Sequence, residues 1–530
     1  MAKKRQSVMT HQFSQVPKAE IPRSSFDRSH GLKCTFNGGP LVPILVDEAL
    51  PGDTFNLKMT ALARLATPIF PTMDNMFMET FFFAVPYRLV WDNWEKFNGA
   101  QASPGDSTDF TVPISTTTAV TGEPTESLHD YMGIPTGIPG LDFNVLHHRA
   151  VNLIWTEWFR DQNLQDPVAL NTGDGPDPIT DYTLLSRGKR HDYFTSSLPW
   201  PQKSDNPVTI PLGDFADIVV TGNPTVDLDP IYAIDQTTGQ NHDFLPVTDT
   251  SVILNPLVVA PGDPGQLVAN LQSATAVTIN ELRQAFQVQK QFERDARGGT
   301  RYTEVIKASF GVTSPDARLQ RPEYLGGGSS PVNIVPVAST VPTNLDPAEP
   351  QGTLAGFGTA TLNNHGFTKS FTEHCLIIGF VNVRADLTYQ QGLNRMYSRQ
   401  TRFDYFWPAL HAIGEQVVHN REIYAQGDVN PTADGAAWGY QERYAEYRYF
   451  PSRIAGKFRS SDPASLDAWH LSQDFDTLPL LNDNFITEKP PIDRIIAVPT
   501  EPHFLFDAHF SMRCARPMPL YGVPGLIDHF

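Results

Sequence analysis

The densest concentration of residues able to contact a nucleic acid is RYAEYRYFPSRIAGKFR at 443–459. Arg443, Arg448, Arg453, Lys457 and Arg459 stand against one acid, Glu446, with Tyr444, Tyr447, Tyr449, Phe450 and Phe458 interleaved. Cationic side chains pair phosphates, and aromatic faces stack unpaired bases without sequence preference. Interfaces between protein chains enrich Tyr and Arg as well, so a strand packed between subunits is the favoured reading and DNA contact the alternative to it. Arg443, Tyr447, Arg448, Arg453, Lys457 and Arg459 are therefore candidate contacts, joined by Lys3, Lys4 and Arg5 of a basic N-terminus. Arg395, Arg399 and Arg402 form a weaker second group.

Catalytic chemistry finds little footing. The chain has no GxxxxGK[ST], no GxGxxG after a strand, no HExxH and no GxSxG. Gly326-Gly327-Gly328-Ser329 resembles a phosphate loop only in its glycines and lacks the lysine. His147-His148 sit on an expected helix, where adjacent side chains point about 100° apart; a surface or interface role is expected for them, not a shared metal. His503 and His509 flank an apolar, strand-like run and read as packing histidines. Asp227-Leu228-Asp229 lacks the further oxygens of a calcium loop. Cys34, Cys375 and Cys514 are odd in number and far apart, which suggests buried structural thiols and neither a disulfide framework nor a zinc site. No catalytic, cofactor or metal residue is assigned, and the chain is not expected to be an enzyme.

Charge is distributed unevenly. The net charge is −18, which argues against a simple nucleic-acid-binding protein. Yet Lys3, Lys4, Arg5, Lys18, Arg23, Arg28 and Lys33 face only Glu20 and Asp27 within the first 33 residues. A short basic arm of this kind contacts phosphate or solubilises the chain. The opposite extreme is 204–280, which holds nine Asp and no Lys or Arg. Its Pro, Gly, Thr and Asn with short β-branched runs suit a small β-rich excursion. Nine carboxylates would repel phosphate, so the segment is expected to face outward.

The elements that must carry these groups are mainly strands. There are 45 prolines in 530 residues, above the usual ~5%, so long helices should be few. Charged residues make up 18%, and there are 33 Phe, 16 Tyr and 8 Trp, which suits surfaces buried against further copies of the chain. Phe55, Leu57, Met59, Ala61, Ala63 and Leu65 alternate with Asn56, Lys58, Thr60 and Arg64, with Leu62 the exception. Period two over this length predicts a strand with one dry face. Leu41–Val46, Met76–Val85, Phe367–Phe371 and Leu376–Val383 are further strands, the last apolar throughout and so central. Helices are expected over 90–97, 144–160 and 279–297, and loops at 326–330 and 336–352. The N-terminus lacks the apolar core of a signal peptide, and no apolar run reaches 18 residues; a protein made and kept in a cytoplasm is expected.

Four long segments resemble one family. They are LPGDTFNLKMTALARLATPIFPTMDNMFMETFFFAVPYRLVWDNWEKFN (50–98), TINELRQAFQVQKQFERDARGGTRYTEVIKASFGVTSPDARLQRPEYLGG (278–327), LIIGFVNVRADLTYQQGLNRMYSR (376–399) and WGYQERYAEYRYFPSRIAGKFRS (438–460), with Asp404–Trp407 and its flanks adding to them. Together they are similar to the major capsid proteins of small, tailless, single-stranded DNA phages, the Microviridae, on the gokushovirus branch. The resemblance implies a mainly β, eight-stranded antiparallel jelly-roll capsid fold with long loops, short helices and a surface insertion. Eight strands need only ~50 residues, so most of the chain would be loop and insertion. The expected organisation is a basic arm at 1–36, a first part of the body at 37–203, an acidic protrusion at 204–280 and the rest of the body at 281–530. The implied function is a virion protein, made in the host cytoplasm. Sixty copies would assemble through pentamers into a T=1 icosahedral shell around circular single-stranded DNA. The implied partners are further copies of the chain, the packaged DNA, a small basic DNA-binding virion protein, a minor pilot protein and a host surface receptor reached by the protrusion. The rival from another class is a β-sandwich carbohydrate-binding protein or glycosidase, which would be a small oligomer with sugar affinity.

Overall fold

The computed structural model describes residues 22–203, 217–220, 232–234, 241–245, 253–254, 267–270, 279–299, 301–311, 320–343 and 350–521. Lys3, Lys4, Arg5, Asp227-Leu228-Asp229 and most of the acidic segment lie outside these residues. The chain divides into two compact units, one of 1–201 with 298–530 and one of 202–297.

Among the described residues, nine strands form the main sheet system of the larger unit: β1 (Ser24–Asp27), β2 (His30–Phe36), β3 (Val42–Ala49), β4 (Thr54–Leu65), β5 (Met76–Pro86), β6 (Glu323–Ala338), β7 (Leu354–Ser370), β8 (Cys375–Ala385) and β9 (Phe504–Arg516). Their order is β1-β9-β4-β7-β6-β5-β8-β3, with β2 also paired to β9. β1 and β2 both pair antiparallel with β9 and act as one strand interrupted at Arg28-Ser29. Counted so, there are eight strands in two four-stranded sheets. One holds the first, eighth, third and sixth strands; the other holds the second, seventh, fourth and fifth. That is the double Greek key of a jelly roll. The stretch 24–36, expected within a basic arm, is thus strand.

The alternation in β4 does what its period requires. Phe55, Leu57, Met59, Ala61, Ala63 and Leu65 are buried between the sheets, while Leu62 is 53% exposed. β8 is apolar throughout because both of its faces are covered. Ile377, Val381 and Val383 point into the barrel, and Leu376, Ile378 and Phe380 point out of it. β5 divides likewise, with Met76, Met78 and Phe82 inside and Phe83 and Val85 outside. The outer face is roofed by helix α1 (Leu146–Ile154), which continues into a π-helical turn, Trp155–Phe159. Over 90–97 the helix shrinks to Trp94–Phe97, preceded by a 3-10 turn at Tyr87–Leu89.

Two expectations are corrected. Gly326–Ser330 is no loop: it lies in β6, paired with Phe82–Met78. Here β6 passes from one sheet to the other, with 323–332 on β5 and 333–338 on β7. Glycine is required by close approach, since a Cβ on Gly327 would lie 2.0 Å from the Thr80 carbonyl oxygen and one on Gly328 2.6 Å from the His365 ring. Composition reads such a run as loop because backbone freedom and absent bulk are the same residue choice. Likewise 336–338 is strand, and only the remainder of 336–352 can be loop.

His148 is the second. It is buried, with Nε2 3.1 Å from Nδ1 of buried His129, whereas His147 lies 3.2 Å from Glu48. The 100° step between neighbours sends one ring inward and leaves the other near the surface. Burial lowers the pKa of both His129 and His148. His503, by contrast, packs as expected, held by Asp493 and the Gly38 N–H, whereas His509, expected to pack as well, is exposed on the outer face of β9. Cys375 and Cys514 are buried and Cys34 half-buried, and burial pushes the Cys34 and Cys375 thiols up to about 12.

Gly327→Ala should lose ~1–3 kcal/mol to overpacking, whereas Leu62→Thr on the wet face should stay within ~0.5 kcal/mol; denaturant unfolding of the soluble chain checks both. The imidazoles predict acid sensitivity. The unfolded chain takes up protons around the ordinary histidine value of 6.5, whereas in the folded chain burial shifts this uptake to lower pH for both rings. Stability should therefore fall as pH drops from 7 to 5, by up to about 1.4 kcal/mol per pH unit for each ring. His148→Gln should flatten that slope in thermal melts.

Candidate functional site

The basic-aromatic stretch is carried by a satellite of small elements. An antiparallel pair, Glu415–His419 with Ala437–Glu442, and a parallel pair, Thr388–Tyr389 with Ser452–Arg453, frame it. Between them lie 3-10 turns at Arg395–Ser398, Arg402–Asp404, Ala445–Tyr447 and Gly456–Phe458. Local chemistry sets these turns. The Asn394 carboxamide accepts from the Met396 N–H, and Asp404 accepts from the N–H groups of Gln400 and Thr401. Beneath them Tyr193, Phe194, Tyr389, Val418, Ile423, Trp438, Ala445 and Phe485 make a separate apolar core.

A buried polar network ties this core to the surface. Arg395 donates to Glu422 (2.8 Å) and to the Val417 carbonyl (2.6 Å), and Tyr193 donates to the other Glu422 oxygen (2.8 Å). Glu446 accepts from Gln416 (2.7 Å) and Arg399 (3.3 Å). Burial disfavours the Arg395 charge, but Glu422, the Tyr193 oxygen and Glu446 outweigh it and raise its pKa. Arg399 then lies 4.2 Å from the Tyr447 ring centroid, Arg402 4.4 Å from Trp407 and Arg443 4.6 Å from Tyr444. All are cation–π distances.

The predicted residues occupy different places. Arg443 is half-buried and donates to the Phe403 carbonyl (3.1 Å). Tyr447 is half-exposed beneath Arg399. Arg448 is exposed and ion-paired with Glu442. Arg459 donates to the Gln390 carbonyl, and it lines, with Arg453, Tyr397, Tyr449, Phe450 and Arg395, a cleft of about 220 Å³. Lys457 is exposed outside that lining. Among the described residues, Arg453 and Lys457 have no side-chain hydrogen bond or ion pair. Reasoning from the sequence missed the exposed aromatics Tyr397, Phe403 and Tyr405, although the RFDYFW run advertised the last two. It also missed Glu422, for which no local signal exists: its partner Tyr193 is 229 residues away. The arrangement offers flat apolar faces and unspent positive charge side by side. Among the described residues no group of three or more His, Cys, Asp or Glu could hold a metal ion.

One family profile and three known proteins place the similarity of this chain among capsid proteins. The family profile described as "Capsid protein (F protein)" matches residues 14–526. The capsid protein VP1 of Bdellovibrio phage phiMH2K is 48% identical, over 98% of either chain. That of Chlamydia phage 1 is 43% identical over 99% of this chain and all of its own, and that of Spiroplasma virus 4 is 37% identical over 97% of each. Full-length likeness of this order leaves the carbohydrate-binding or glycosidase reading without support.

Arg395→Ala would leave the buried Glu422 short of its cation and should cost about 3–5 kcal/mol. Arg453→Gln should cost under ~0.5 kcal/mol. Denaturant unfolding followed by tryptophan fluorescence separates them, since Trp438 belongs to the core beneath.

Proposed function

We propose, from the premise that this chain belongs to the capsid protein (F protein) family on the gokushovirus-like branch of the Microviridae, that sixty copies of it close a T=1 icosahedral shell around circular single-stranded DNA. The chain is a structural protein of the virion and not an enzyme. The observation that carries the finer reading is end-to-end similarity to capsid proteins VP1, joined to a jelly roll whose strands use a minority of the chain. The long connections remain for contacts between copies, with pentamers as assembly units.

In this reading the arginine-aromatic face lies at the inner boundary of the subunit. Its exposed rings pack against a neighbouring copy, and the uncommitted Arg453 and Lys457 reach the DNA. The basic arm with Lys3, Lys4 and Arg5 adds to the inner charge. The acidic segment 204–280 projects outward as a protrusion available to a host surface receptor; its nine Asp support that side. A subunit at −18 cannot neutralise a genome, since every phosphate adds negative charge. A small basic virion protein is therefore packaged with the DNA, and a minor pilot protein completes the particle.

Purified chain should appear in electron micrographs as closed particles or pentamers; a monodisperse small oligomer under all assembly conditions would contradict the proposal. Replacing Arg448 and Arg453 together with Gln decides the role of the face. Intact shells that fail to package DNA support phosphate contact, and failure to form shells supports subunit packing. Particles that form and fill normally would sink both roles.

A further inference from the structure

A second concentration of positive charge lies away from the 443–459 stretch, beside the outer edge of the β5–β8 wall. Glu79 of β5 accepts from Arg187 (2.6 Å) and Arg384 (2.6 Å), with Arg190 3.5 Å away. Arg190 also reaches Asp386 at 3.3 Å. These arginines border a pocket of about 270 Å³ that Arg160 and Lys189 also line, with Asp161 as the lining carboxylate. Five cations therefore line the pocket with one carboxylate, Asp161, while Glu79 and Asp386 pair with three of them, Glu157 and Asp166 act on Arg160, and Asp192 acts on Lys189. Burial raises the pKa of Glu488 and lowers that of its neighbour Lys189.

The hydrogen-bonding capacity is only partly spent: Arg160 donates to the Gln165 carbonyl (2.9 Å), Lys189 to Gln473 (3.2 Å) and Arg190 to Asp386 (3.3 Å). Nε of Arg160 and Nε of Arg384 are buried with no hydrogen-bond partner. Unpaired buried donors on charged groups are costly. Burial, followed by Arg187, lowers the pKa of Arg384, and burial, followed by Arg301, lowers that of Arg160. An incoming anion would relieve both effects. The pocket walls include Trp158 and Phe159, whose apolar surface excludes water and strengthens charge-assisted bonds.

We propose that this pocket is a phosphoryl-oxyanion site, in which Arg160, Arg190 and Lys189 hold either free inorganic phosphate or one phosphodiester of a single strand. Planar guanidinium groups match two oxygens of such an anion at once. The site is separate from the arginine-aromatic face and does not depend on the role given to it above.

Calorimetric titration of the assembled full-length chain with inorganic phosphate, against chloride at matched ionic strength, tests it. Saturable binding is expected, about tenfold weaker in Arg160→Gln and tighter in Asp161→Asn, which removes the one carboxylate in the lining. If Arg160→Gln fails to fold, Arg190→Gln, with its side chain 38% exposed, takes its place. A short oligonucleotide without terminal phosphate that displaces inorganic phosphate identifies the phosphodiester as occupant; failure to displace it identifies the free ion. No saturable binding above chloride, or equal affinity in the arginine and aspartate variants, overturns the site.

Discussion

Everything else in the larger unit hangs on the antiparallel pair β5–β8, whose eleven-residue register runs from Cys375 opposite Pro86 to Ala385 opposite Met76. It is one wall with two dry faces. Its inner face closes the barrel against β4 and β9, and its outer face seats α1 and the long connection from 87 to 185. A wall buried on both sides cannot slip by one residue without exchanging its two apolar sets between environments of different shape. That constraint fixes β6, which must pass across the corner so close to β5 that only glycine fits at 327. It also places Glu79, whose carboxylate gathers three arginines from two distant segments.

Long connections are then held by polar anchors more than by regular structure. Arg149 of α1 grips Asp177 with two 2.7 Å bonds and donates to the carbonyls of Val90 and Gly173. One buried guanidinium thus pins two loop segments, one at Val90 and one at Gly173–Asp177, to the helix. Arg395 does the same beneath the aromatic face by joining Glu422 to the Val417 backbone. Such anchors contribute little net stability compared with apolar contacts of equal size, because desolvation offsets much of their attraction. Their geometry is narrow, which is what a loop needs when its surface must match another chain.

How much of this was legible in the sequence follows from how local each signal is. The strand around Leu57 and Met59 was readable because its alternation reports directly which face is buried. β8 was readable because an unbroken apolar run implies two covered faces. The glycines of β6 were misread because the reason for them, the Thr80 carbonyl, is far away in the chain. His148 could have been placed by the helical angle that separates it from His147, but a pair of histidines drew attention to ligation and away from packing. At the candidate site the arginines and aromatics were visible as a dense stretch, although Arg448 turned out to be committed to Glu442 and Arg443 to the Phe403 carbonyl. Glu446 was visible as the one acid of the stretch, but Glu422 was not, since its pairing with Tyr193 across 229 residues leaves no trace in spacing.

The central claim, that the two-faced β5–β8 wall supports the rest of the unit, is tested most directly by amide hydrogen exchange of the intact chain. Amides of Ile377–Val383 and Phe81–Val85 should exchange slowest, opening only with global unfolding, while β1 and the 3-10 turns of the satellite exchange by local opening. Wall amides that exchange as fast as those of Ser24–Asp27 would contradict it.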